Sequence, residues 1–81
     1  MEQGTSRHFI RCDPSRNMNR FYRLTVTRDL LGQTLLIREW GRVGVYARRR
    51  SDEKTGLAEA VRDAAALAAR KMKRGYVPVA E

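Results

Sequence analysis

Eighty-one residues suffice for one domain with one modest core, and leave little material for the walls of a substrate pocket. Seventeen Lys and Arg against nine Asp and Glu give a net charge of +8 and a pI near 10.8, a balance that attracts polyanions without defining a site. Fourteen of the seventeen cations are Arg, whose planar fork of donors matches phosphate, although a coding bias toward Arg and Ala leaves the same imprint.

Residues 1–6 are polar and are expected to form a disordered tail before a single domain at residues 7–79. No apolar leader or membrane-length run is visible, and the lone Cys12 has no intrachain disulfide partner. The expected location is therefore cytoplasmic, with no membrane partner. His8, Phe9 and Ile10 lie in a first short strand, and Cys12 is expected to be a small core or semi-buried residue. Asp13-Pro14-Ser15-Arg16-Asn17 reads as a turn.

From Phe21 to Thr27, Tyr22, Leu24 and Val26 alternate with Arg23, Thr25 and Thr27, a strand with one apolar face. Gly32 suits a hairpin loop leading into a second strand, Thr34–Val43. Val43-Gly44-Val45 turns the chain again. Tyr46–Arg50 is expected at the sheet edge, because three consecutive Arg are costly to bury. Ser51, Asp52 and Thr55 are candidate helix N-caps. Leu57–Arg74 lacks Gly and Pro and is rich in Ala. Its expected packing stripe is Leu57, Val61, Ala64, Ala65, Leu67, Ala68 and Met72. Gly75 stops the helix, with Lys71, Lys73 and Arg74 at its carbonyl end, and Tyr76-Val77-Pro78-Val79 folds back. The expected class is α+β: an antiparallel sheet of about four strands with one long C-terminal helix on one face.

Catalytic chemistry finds no foothold in the sequence. His8 is the single histidine, no acidic pair has the arrangement of an acid/base dyad, and no phosphate-cradling Gly-rich loop or dinucleotide fingerprint occurs. The expectation is a binding domain and not an enzyme, with no cofactor, metal or small-molecule substrate.

Trp40, the only tryptophan, shares strand parity with Leu36, Arg38 and Arg42, while Leu35, Ile37 and Glu39 share the other. The apolar character of Leu35 and Ile37 points Arg38, Trp40 and Arg42 outward as a platform for a base or sugar, with guanidinium groups for phosphates. The competing placement is a packed Trp, and Leu36 on the same face favours it.

Trp40-Gly41-Arg42-Val43-Gly44 resembles the signature of the WGR domain. Asn17-Met18-Asn19-Arg20-Phe21-Tyr22 is similar to the family's Asn-x-Asn-Lys-Phe-Tyr stretch, with Arg for Lys. Gly32 falls at the glycine of the main hairpin, and Lys71-Met72-Lys73-Arg74-Gly75-Tyr76 resembles the basic helix end of many bacterial members. The resemblance covers about residues 7–77 and implies a sheet with one helix. In poly(ADP-ribose) polymerases WGR domains help bind broken DNA and relay that binding to a catalytic domain. By this resemblance Trp40 packs on a terminal sugar or base, and Arg42 contacts phosphate or a neighbouring domain. The chain carries no transferase domain, so that activity is not implied.

The resulting expectation is a nucleic-acid-binding module, for DNA ahead of RNA and with little sequence specificity, acting through Trp40, Arg42, Arg38, Arg48, Arg49 and Arg50. The alternative is a protein-interaction module in which a separately encoded partner docks on Trp40 or on an exposed strand edge.

Overall fold

The structure is a computed structural model and describes residues 5–80. Five strands, β1 (Thr5–Asp13), β2 (Met18–Arg28), β3 (Thr34–Arg42), β4 (Tyr46–Lys54) and β5 (Val77–Val79), form one antiparallel sheet in the order β4-β3-β2-β1-β5. One helix, α1 (Leu57–Lys73), completes the α+β fold. The fifth strand is the apolar tail, which adds to the free edge of β1 through Val77, Pro78 and Val79. Of the expected N-terminal tail, residues 1–4 lie outside the described residues. Thr5 and Ser6 already belong to β1, opposite Val26 and Thr25. No helix among the described residues is long and apolar enough to cross a membrane.

The turns follow the sequence signals. Pro14–Arg16 makes a single 3-10 turn closed by Asn17 at φ 51°, a left-handed conformation that Asn tolerates better than most residues. In the β2–β3 hairpin the Asp29 carboxylate accepts the backbone N–H groups of Leu31 and Gln33, both at 2.9 Å. That leaves Leu30 and Leu31 at the tip, almost fully exposed.

Strand β4 pairs with β3 along its whole length, from Arg42 opposite Tyr46 to Thr34 opposite Lys54. Ser51 and Asp52 are therefore strand residues and not helix caps, because β3 keeps supplying backbone partners up to Lys54. Gly56 is the N-cap, and the Glu59 carboxylate reaches back to the Thr55 N–H at 3.1 Å. At the other end the Tyr76 N–H bonds the Lys71 carbonyl and the Gly75 N–H bonds that of Met72, with Gly75 at φ 96°. This pair of reversed bonds satisfies the last carbonyls and turns the chain sharply into β5.

Parity decides which face is buried. Phe9, Tyr22, Leu24, Val26 and Leu36 all point to the side of the sheet that α1 covers. They form the core with Ala60, Ala64 and Ala68, and Trp40, Leu67 and Tyr76 pack partly against it. The core therefore lies on the Trp40 side, against the outward placement drawn from Leu35 and Ile37 and in line with the packed Trp that Leu36 favours. Ile37 is only 8% exposed although no element covers its face, which also carries Arg23, Glu39 and Arg49. Long polar stems lying over a sheet give this degree of cover. Cys12 also points to that uncovered side and is exposed, not semi-buried.

The helix stripe is corrected in the same way. Ala60, Ala64 and Ala68 face the sheet, whereas Leu57, Val61, Ala65 and Met72 are exposed. The alanines are chosen because α1 lies close over β2, β3 and β4, where larger side chains do not fit. Ala64→Leu should overpack this contact and cost about 1–3 kcal/mol. Val61→Leu, on the exposed flank, should stay within about 0.5 kcal/mol of the parent. Urea denaturation of the two variants checks the orientation, and a reversed order would contradict it.

Candidate functional site

Each residue of Trp40-Gly41-Arg42 has a local structural reason. Trp40 sits in β3 between Tyr22 on β2 and Arg48 on β4, half-buried against Leu67 and the core. Gly41 is buried, and a Cβ there would overlap the Tyr46 carbonyl oxygen, so the strand ends can close only around a residue with no side chain. Arg42 reaches the left-handed turn at Asn17, donating from Nη1 to its carbonyl at 2.8 Å and from Nη2 to Oδ1 at 3.2 Å. This bidentate clamp ties the β3–β4 hairpin to the β1–β2 turn, as does the bond from the Val43 N–H to the Asn19 carbonyl at 3.0 Å.

Around the exposed part of Trp40 lies a half-open cleft of about 220 Å³, lined by Tyr22, Arg38, Trp40, Leu67, Arg70, Lys71 and Arg74. Its wall is the last turn of α1, which the Gly75 turn stops above Trp40. Among the described residues, the guanidinium groups of Arg48, Arg70 and Arg74 make no ion pair or side-chain hydrogen bond. Arg38 Nη2 lies 3.5 Å from the Asp52 carboxylate, while its buried Nε has no partner.

Lys71 is held at the base of this cation cluster, its ammonium 4.6 Å from the Tyr22 ring centre and 5.3 Å from that of Tyr76. Burial, and after it the positive charges of Arg74, Arg38, Arg70 and Arg20, push its pKa below the ordinary lysine range. Burial pushes the Tyr22 hydroxyl up, with the Arg38 guanidinium opposing. The cleft is thus a place where positive charge is already in excess and an anion relieves mutual repulsion.

The six residues singled out from the sequence are divided by the fold. Arg38, Trp40, Arg42, Arg48 and Arg50 share the helix-bearing side. Arg49 points to the opposite side, next to Glu39, which pairs with Arg23 at 3.7 Å. Arg50 Nε is bound to Asp52 at 3.1 Å. Sequence reading missed Arg70, Lys71 and Arg74 as members of the cluster, having taken Lys71 and Arg74 only as complements of the helix dipole. Their three- and four-residue spacing after Leu67, which faces the sheet, was the available signal.

A small sheet capped by one helix, with a basic, aromatic-floored cleft where they meet, defines a compact binding domain. Residues 5–81 match the WGR domain, and the chain belongs to that family. It is also 40% identical over 68 residues to y4dW, an uncharacterized protein of Sinorhizobium fredii; the match takes in 84% of this chain and 33% of that protein. The chain thus spans about a third of the length of that relative.

Gly41→Ala should lower stability by about 1–3 kcal/mol, since the clashing neighbour is backbone and cannot rotate away. Arg42→Ala should cost about 1 kcal/mol, below the usual range for a charged hydrogen bond because the clamp is open to solvent. Denaturant midpoints read both; parent-like values for both would contradict the structural account of the signature.

Proposed function

We propose that this chain is a nucleic-acid-binding module that gathers backbone phosphates around Trp40, for DNA ahead of RNA and with little sequence specificity. The observation that carries the reading is the convergence of Arg38, Arg48, Arg70, Lys71 and Arg74 on one half-exposed aromatic. WGR domains are in general nucleic-acid-binding modules of poly(ADP-ribose) polymerase-like proteins, which supports the same reading.

In this proposal Trp40 offers a flat edge to a sugar or base, a contact worth about 1–3 kcal/mol per base. Arg38, Arg48, Arg70 and Arg74 take phosphate oxygens, and Lys71 adds a point charge at the base of the cleft. Arg42 holds the platform together through Asn17 and has further donors available. Arg50, shared with Asp52, and Arg49, on the far side, contribute mainly to the long-range field.

Titration with blunt duplex, single-stranded and hairpin DNA and with matched RNA, at several salt concentrations, tests this. Binding should weaken steeply with salt, and Arg74→Ala should reduce the log–log slope by about 1. Trp40→Ala should weaken binding beyond what charge explains, while Arg49→Ala changes little. No saturable binding at low salt, or equal effects of Arg49→Ala and Arg74→Ala, would overturn the reading.

Lys71 adds a pH dependence of definite sign. Bound phosphate favours its ammonium and raises a pKa that the free protein holds low, so binding takes up a proton between the two values. Affinity should hold below the free-protein value and fall as pH rises from it toward the bound one. Lys71→Arg, which stays charged, should flatten that fall.

A further inference from the structure

We propose that the exposed flank of α1 and the adjoining helix-side surface of β1 dock an amphipathic helix of another protein, one whose apolar stripe is bordered by Asp and Glu. This goes beyond nucleic-acid binding and uses the side of α1 that faces away from the Trp40 cleft.

The position of that flank follows from two contacts. Asp63 on α1 pairs with Lys54 on β4 at 3.0 Å, and Arg70 and Leu67 line a hollow with Arg38 and Arg50. These residues turn one flank of α1 toward β4. The other flank, toward β1, carries Leu57, Val61, Ala65 and Met72, which follow each other at four- and seven-residue steps. Leu57 is 54% exposed, Val61 50% and Met72 40%. The charged residues Glu59, Asp63 and Arg70 all lie toward the β4 side. A helix that has already buried one alanine stripe thus carries a second apolar stripe with nothing over it among the described residues.

Charge complementarity selects the occupant. Helix α1 makes its main contacts with β2, β3 and β4, so the helix-side positions of β1 that flank the buried Phe9 form a step beside the apolar flank. That step carries Arg7, stacked over the Phe9 ring at 5.2 Å, and Arg11, beside Gly75. Arg62 borders the flank on the solvent side of α1. An apolar strip edged by cations fits an apolar strip edged by carboxylates. A second copy of this chain fits poorly, because it carries the same net charge of +8 and brings Arg against Arg.

The test uses a synthetic amphipathic helical peptide with a Leu stripe bordered by Glu, and a matched peptide bordered by Lys, titrated into isotope-labelled protein by NMR. The Glu-bordered peptide should bind saturably, moving the signals of Val61, Met72 and Arg7 and sparing Trp40. Val61→Asp and Arg7→Glu should each weaken it by about tenfold or more. Leu31→Asp, which alters an equally apolar but separate hairpin tip, should not. DNA titrations of the Val61→Asp and Arg7→Glu proteins, whose melting temperatures are compared with the parent, should still show saturable binding. Absence of saturable binding, equal affinity for the Lys-bordered peptide, or shifts centred on Trp40 would overturn the proposal. So would a concentration-dependent dimer in ultracentrifugation that Val61→Asp abolishes, since the occupant would then be a second copy.

Discussion

Ala60, Ala64 and Ala68 bring α1 close to the sheet, and the rest of the molecule is arranged around that approach. With these methyl groups as its buried contacts, and Leu67 packed at the margin, the helix lies over Tyr22, Leu24, Val26 and Leu36, and an 81-residue chain obtains a closed core from few large side chains. The same approach fixes where the helix ends. Its last turn stops over Trp40, and the bonds around Gly75 direct the chain into β5 at that point. The basic cleft is therefore a consequence of helix placement as much as of the Arg-rich strands.

Crowding so many cations costs energy, and two features limit that cost. The carbonyl end of α1 carries partial negative charge, which favours Arg70, Lys71 and Arg74 where they stand. Tyr22 and Tyr76 present their ring faces to the Lys71 ammonium. Neither removes the excess, which adds to the effect of burial in holding the Lys71 pKa below the ordinary lysine range. Arg42, by contrast, is engaged with Asn17 and keeps the turn and hairpin in register. The family signature thus secures the floor of the cleft, while the helix supplies much of its charge.

The strands, the hairpin loops and the helix stop at Gly75 were legible because each rests on local chemistry: alternation, Asp and Gly in turns, a Gly able to adopt positive φ. What local chemistry cannot show is which of two faces a second layer will cover. Leu35 and Ile37 look like core residues, yet Leu36 and Trp40 won, since Phe9, Tyr22, Leu24 and Val26 on neighbouring strands share their side. The helix posed the same problem, with two apolar stripes and no local reason to choose the smaller one. Arg48, Arg49 and Arg50 all stand among the expected site residues, but alternation, itself visible in the sequence, sends Arg49 to the other side once the register is fixed. The joining of Arg70, Lys71 and Arg74 to Trp40 is a long-range contact that depends on the helix direction, so spacing after Leu67 could put them on one helix face but not beside Trp40.

Because Trp40 is the only tryptophan and lines the cleft, its fluorescence is a direct reporter of occupancy there. Titrating the protein with a short duplex while following that emission tests most directly whether phosphates gather there. The account predicts a saturable change in Trp40 emission that parallels binding, reverses with added salt, and shifts to higher duplex concentration when Arg70 and Arg74 are replaced by Ala. Tight duplex binding that leaves Trp40 emission unchanged would contradict it.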